Sequence, residues 1–233
     1  MGNNYTVDKK LPQDIKAALI DMDGVLYDSM PFHARAWHRL FTELGVKNSN
    51  PDEYYLYEGM TGSDTIGMIL KRELNRDTTE QERRDIYAHK SELFRDLGEK
   101  VLMPGAAEML QALKALGLDT VLVTGSAQSS LLDGIETDYP GYFPKHKRVT
   151  ALDVKHGKPN PEPYLQGLKK AGVSPSEAIV IENAPLGVRS GKAAGCFTIA
   201  VTTGPIPVSE FEKEGADMIF PNMLNFAQWL KNI

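Results

Sequence analysis

The chain has 233 residues, 42% of them apolar and 24% charged, which suits one large domain or a core with an insert and excludes disordered, collagen-like and fibrous classes. A net charge of −5 offers no basic field to a polyanion, so nucleic acid is not an expected partner. There is no apolar run of about 18 residues and no basic-then-apolar leader, so no membrane partner is expected and the expected location is cytoplasmic.

The elements follow in chain order. Met1-Gly2 with Thr6 fits the loose N-myristoylation pattern and is read as chance. Ala17-Ala18-Leu19-Ile20 is the first strand. About a hundred residues separate it from the next strand, against the roughly 10 to 12 that a crossover needs, so something is inserted. Helical spacing over 32–44, 63–74 and 79–97 makes that insert an α-helical cap. Ser29-Met30-Pro31 and Val101-Leu102-Met103-Pro104-Gly105 mark its edges, because proline and glycine punctuate, and both linkers can act as hinges. The domains are therefore 1–28 with 104–233 as the core, and 29–103 as the insert. In the core, strands are expected at 120–123, 178–181, 197–201 and, as a short edge, 218–220, with helices at 106–116, 161–171, 186–194 and 222–230. This alternation predicts an α/β fold, a Rossmann-like doubly wound parallel sheet. Cys196 is the only cysteine, so no internal disulfide exists, and it reads as a small buried hydrophobe.

In such sheets ligands gather beyond the C-terminal strand ends. Those ends read Asp21-Met22-Asp23-Gly24, Thr124-Gly125-Ser126 and Glu182-Asn183-Ala184-Pro185. Two aspartates at i and i+2 on extended backbone point to one side, beside a glycine that permits a sharp turn. One can attack phosphorus while the other moves the proton; a bare turn is the bland alternative. Thr124, Gly125 and Ser126 end a strand and are expected to open a helix, offering a hydroxyl and N–H groups to a phosphoryl group or a simple helix cap. Lys158, stiffened in Gly157-Lys158-Pro159-Asn160-Pro161, is the cation that a cluster of carboxylates and phosphate needs; a surface lysine is its alternative. Glu182 and Asn183, with Asp21 and the main-chain carbonyl of Asp23, supply oxygen donors suited to Mg2+.

These segments, in this order, resemble the haloacid dehalogenase (HAD) superfamily, and the insert resembles its helical C1 cap, nearest in type to the β-phosphoglucomutase-like subfamily. The resemblance implies that Asp21 is the nucleophile, Asp23 the acid/base, Thr124 and Lys158 the phosphate holders, and Glu182 with Asn183 the magnesium face. Asn183 departs from the family's usual aspartate, which removes a formal charge from the metal site.

The same resemblance orders the reactions. A dehalogenase lacks the second aspartate and a phosphonatase replaces it with a cap lysine, so Asp23 points to phosphatase or mutase. The mutase cap grips a second phosphate with an arginine, and Gly62 stands at that place here. His33, Glu58 and Lys90 on the cap resemble instead the inorganic-pyrophosphatase branch, although each also reads as a solvated side chain. Trp37, Met68 and Phe94 read as cap interior, and Tyr27 and Asp28 lie at the first hinge. The expectation is Mg2+-dependent hydrolysis of a small phosphorylated substrate, pyrophosphate favoured, by a monomer. β-Phosphoglucomutase is the alternative, and a non-catalytic phosphate-binding protein is the reading from outside the class.

Overall fold

The computed structural model describes residues 10–97, 100–127 and 129–233, so the Met1-Gly2 pattern lies outside the described residues. Four near-continuous apolar runs are what a parallel strand covered on both faces requires. They form β1 (Ala17–Ile20), β2 (Asp119–Val123), β4 (Ala178–Glu182) and β5 (Phe197–Val201). A two-residue β3 (Arg148–Val149), too short to show periodicity, and β6 (Met218–Phe220) complete the sheet. All neighbours are parallel in the order β3-β2-β1-β4-β5-β6, with Leu19 level with Val121 on one side and Val180 on the other. The chain leaves β1 for β2 on one side and later returns to β4 on the other, which opens the crevice where such sheets bind ligands.

Three helices, α1 (Met30–Glu43), α2 (Gly62–Leu74) and α3 (Glu80–Leu97), lie between β1 and β2. The first begins before the expected break, because Pro31 sits in its opening turn, where a missing N–H costs no bond. A 3-10 segment, Pro51–Tyr57, had no periodic signal and joins α1 to α2. The insert has its own apolar cluster of Phe41, Tyr54, Ile66, Ile69 and Leu70, while Leu40, Leu93 and Phe94 pack into the cluster under the sheet.

The two linkers run together. Asp28 N–H donates to Val101 O at 2.9 Å and Met103 N–H to Leu26 O at 2.9 Å, and the Tyr27 hydroxyl donates to Asp138 Oδ2 at 2.7 Å. α4 (Ala106–Ala115) precedes β2, and after it α7 (Glu162–Ala171), α8 (Pro185–Ala193) and α10 (Met223–Leu230) flank the sheet near their expected bounds. The short helices α5 (Ser129–Leu132), α6 (Ile135–Asp138) and α9 (Val208–Lys213) had no sequence signal. Cys196 is buried and free. Among the described residues no helix is long and apolar enough to cross a membrane.

Candidate active site

Asp21 follows β1 and Glu182 ends β4, and both side chains are buried. Two buried carboxylates need a cation between them. Lys158 supplies it, donating to Asp21 Oδ1 and Glu182 Oε1, each at 2.5 Å, and to Val123 O at 3.1 Å. Burial pushes the Asp21 carboxyl up to about 8, with Lys158 opposing and Glu182 reinforcing the rise; the two acids hold the Lys158 ammonium above its usual range against the pull of burial.

The second aspartate is wired to the insert. Asp23 Oδ1 accepts from Ser29 Oγ at 2.5 Å and from His33 Nε2 at 3.0 Å, and Lys90 Nζ donates to His33 Nδ1 at 2.5 Å. His33 stacks on Phe94 at 4.2 Å between centroids, and Lys90 lies 4.9 Å from the Trp37 ring. Burial drives Lys90 down to about 7 and, with Lys90 beside it, holds His33 below its usual range. His33 reaches Asp23 through the bond from Nε2. Burial raises Asp23, yet the bonds from His33 and Ser29, with Lys90 nearby, outweigh it and keep the group below the ordinary carboxylate range.

Glu58 and Lys90, each equally readable as surface, are both buried. Glu58 leaves the 3-10 segment and accepts from Asn183 Nδ2 through both oxygens, at 3.1 Å each. Burial, with Asp21 and Asp23 close by, lifts its pKa well above the usual value. Asn183 in turn lies against Gly24, where φ is +79° and a Cβ would fall 1.9 Å from Asn183 Nδ2, so only glycine fits this turn.

Thr124 Oγ1 accepts from Ser126 N–H at 3.0 Å. The next described helix, α5, starts at Ser129 and has four residues, so the helix dipole behind this run is that of a single turn. One cavity is lined by Asp21, Asp23, His33, Glu58, Lys90, Thr124, Gly125 and Ser126, together with Trp37, Tyr54, Tyr57 and Tyr87. Lys158, Glu182 and Asn183 lie beneath it, so all eleven site residues expected from the sequence share one neighbourhood. At Gly62 a Cβ would meet the Tyr87 ring at 2.1 Å, so the place of the mutase arginine is filled by that ring. Trp37 and Phe94, read as cap interior, also touch Lys90 and His33. Ser29, Tyr87 and Tyr164 escaped the sequence reading; Ser29 and Tyr164 carry no motif, and Tyr87 stands one helical turn before Lys90 on α3.

A metal ion fits the donors present. Among the described residues no three His, Cys, Asp or Glu side chains form a metal cluster by themselves, but the one buried side-chain polar atom without a partner is Asn183 Oδ1, beside Glu58 and the Asp21–Glu182 pair. An amide oxygen, carboxylates and a main-chain carbonyl are hard oxygen donors of the kind Mg2+ takes.

Asp21, Asp23 and the buried Lys158 gather at one edge of a parallel sheet, beside three helices inserted between β1 and β2, and such a fold and site belong to a phosphohydrolase. The chain belongs to the haloacid dehalogenase-like hydrolases, whose family model matches residues 15–195. It is 32% identical to glycerol-1-phosphate phosphohydrolase 1 of Saccharomyces cerevisiae over 92% of this chain and 85% of that one. It is also 32% identical to hexitol phosphatase A of Escherichia coli over 80% and 82%. Among solved structures it is similar to a Bacteroides vulgatus protein provisionally named a β-phosphoglucomutase, with 49% identity, a TM-score of 0.88 and coverage of 94% of this chain and 90% of that one.

Proposed function

We propose that this enzyme hydrolyses a small phosphate ester or anhydride, pyrophosphate foremost, through an aspartyl phosphate on Asp21. A carboxylate oxygen of Asp21 forms a bond to phosphorus as the bond to the leaving oxygen breaks, and water then attacks phosphorus to release orthophosphate and restore Asp21. Asp23, ionised at rest, takes a proton from the attacking water, and with an ester substrate it first takes up from solvent the proton that it passes to the leaving oxygen. Thr124, Gly125 and Ser126 present a hydroxyl and N–H groups to the phosphoryl oxygens, and Lys158 holds the nucleophile while offsetting the charge around it. Asp21, the Asp23 main-chain carbonyl and Asn183, with the charge of Glu182 and Glu58 around them, would hold Mg2+, and the ion would supply charge neutralisation for the phosphoryl oxygens. Residues 29–103 act as the cap, bringing Glu58, His33 and Lys90 to the leaving group.

The observation that carries this reading is Glu58 seated on Asn183 inside the core site, because a cap carboxylate at that depth leaves room for a compact leaving group only. Asp23 supports it too: held below the usual carboxylate range, it rests ionised, which suits activation of water and suits a leaving phosphate better than an alkoxide, which needs a full proton. Among the described residues no arginine lines the cavity; its cap cation is Lys90, so a bulky sugar bisphosphate lacks a bidentate partner.

The second reading is hydrolysis of polyol phosphates, supported by the names of the yeast and Escherichia coli relatives. Orthophosphate release with Mg2+ from pyrophosphate, glycerol 1-phosphate and hexitol phosphates separates the two. The highest kcat/KM is expected for pyrophosphate. Rapid formation of glucose 6-phosphate from β-glucose 1-phosphate and its bisphosphate would place the mutase first instead.

A further inference from the structure

Tyr164 stands in the first turn of α7, fully buried in the apolar cluster formed by Leu19, Val121, Val123 and Val180. A phenol in such surroundings must find an acceptor. It donates to Glu182 Oε1 at 2.6 Å, and its ring centroid lies 5.1 Å from Lys158 Nζ. That bond completes a closed set. Glu182 Oε1 takes Lys158 and Tyr164, while Oε2 takes the N–H groups of Asn183 at 3.1 Å and Ala184 at 3.4 Å. A carboxylate has about four acceptor positions, so every one is filled from within the protein. The three protons of the Lys158 ammonium are likewise taken, by Asp21, Glu182 and Val123. Gly187 makes room for this packing: a Cβ there would fall 2.0 Å from Glu182 Cδ.

We infer that Tyr164 is a positioning residue for phosphoryl transfer: its hydroxyl fixes the Glu182 carboxylate, which in turn fixes Lys158 against Asp21. The inference rests on the proposed role of Asp21 as nucleophile. Without the hydroxyl, Glu182 Oε1 keeps one donor and gains a degree of rotation, and the ammonium that aims Asp21 moves with it. Small displacements of a reacting group are costly in rate. A tyrosine that only fills the core would be replaceable by phenylalanine with no catalytic loss.

The test compares Tyr164→Phe, Tyr164→Leu and Asp21→Asn in the full-length enzyme with Mg2+ and pyrophosphate, reading kcat, KM and Tm for each. The phenylalanine variant keeps the ring and its packing, so its Tm stays near the parent's. Its kcat is expected to fall about tenfold, the loss that one hydrogen bond to a charged group can carry, with KM changed by less than about threefold. The leucine variant is expected to show the same kcat and a lower Tm, so that rate follows the hydroxyl and stability follows the ring. Parent-like kcat in Tyr164→Phe, a rise in KM with kcat intact, or a kcat that tracks Tm across the two variants overturns the inference, while an inactive Asp21→Asn leaves the proposed reaction standing. Full turnover in Asp21→Asn overturns both.

Discussion

Glu58 and Asn183 meet across the boundary between insert and sheet, the amide donating to both carboxylate oxygens at 3.1 Å. Burial first, and then the nearby charges of Asp21, Asp23 and Glu182, hold the Glu58 pKa well above 4.5 against the bond from Asn183. A carboxyl whose folded pKa is raised contributes stability at low pH and loses it as pH climbs from its unfolded value through the folded one. Metal-free protein should therefore lose Tm as pH rises above 4.5, and Asp21, lifted to about 8, adds to the same slope. Mg2+ should restore the loss. In Glu58→Gln the pH slope of the metal-free protein flattens and the gain in Tm on adding Mg2+ shrinks. Thermal melts in chelator and in Mg2+ check this, and an undiminished Mg2+ gain in the variant would count against Glu58 facing the ion.

Turnover should distinguish the two aspartates. Asp21→Asn is expected to lose about 10^4-fold or more in kcat, because no covalent path remains. Asp23→Asn is expected to lose about 10^2 to 10^4-fold, the usual share of a general acid or base. Since a leaving phosphate needs less protonation than an alkoxide, the Asp23→Asn loss should be larger for alkyl phosphates than for pyrophosphate. Equal losses on the two substrate types would remove Asp23 from the leaving-group step.

Lys90 carries a stability cost with a defined sign. Its pKa falls from 10.5 to about 7 on folding, so between those values the unfolded chain binds the extra proton and stability rises with pH. Below about 7 the penalty is fully present. Lys90→Met should therefore raise Tm more at about pH 6 than at about pH 9.5, where most of the penalty has already gone. A gain independent of pH would show that the lysine folds without losing its proton affinity.

Gly157 bears on the seam between the inserted segment and the sheet. A Cβ there would lie 2.8 Å from the main-chain nitrogen of Thr61, which cannot swing aside as a side-chain tip can. Gly157→Ala should push the segment that carries Glu58 away from the site and lower kcat/KM by about tenfold to a hundredfold. Stability should change little, because the insert keeps its own apolar cluster. Unchanged kcat/KM would mean that this contact has no part in turnover.

Much of the architecture was legible because its signals are local. Ala17–Ile20 and residues 178–181 are apolar throughout, as strands covered on both faces must be, and α1, α2 and α3 carry their periodicity within single stretches. Arg148–Val149 was not legible, since two residues have no period, and the 3-10 segment Pro51–Tyr57 is held by packing of Tyr54 against Phe41 rather than by any pattern of its own. The run at Thr124 is ambiguous for a related reason: a threonine-glycine-serine sequence caps helices and turns alike, and here the Thr124 hydroxyl takes the Ser126 N–H.

The order of Asp21, Asp23, Thr124, Lys158 and Glu182 along the chain determined which chemistry is available, because each sits where a parallel sheet must deliver it to one rim. Which proton faces which oxygen was decided only by folding. Lys158 finds Asp21 across 137 residues and Glu58 finds Asn183 across 125, and Tyr164 had no mark of function until its hydroxyl was placed against Glu182. Residue type can announce a carboxylate or an ammonium, but burial and the completion of hydrogen bonds set its charge, and those are properties of the surroundings that only the assembled chain possesses.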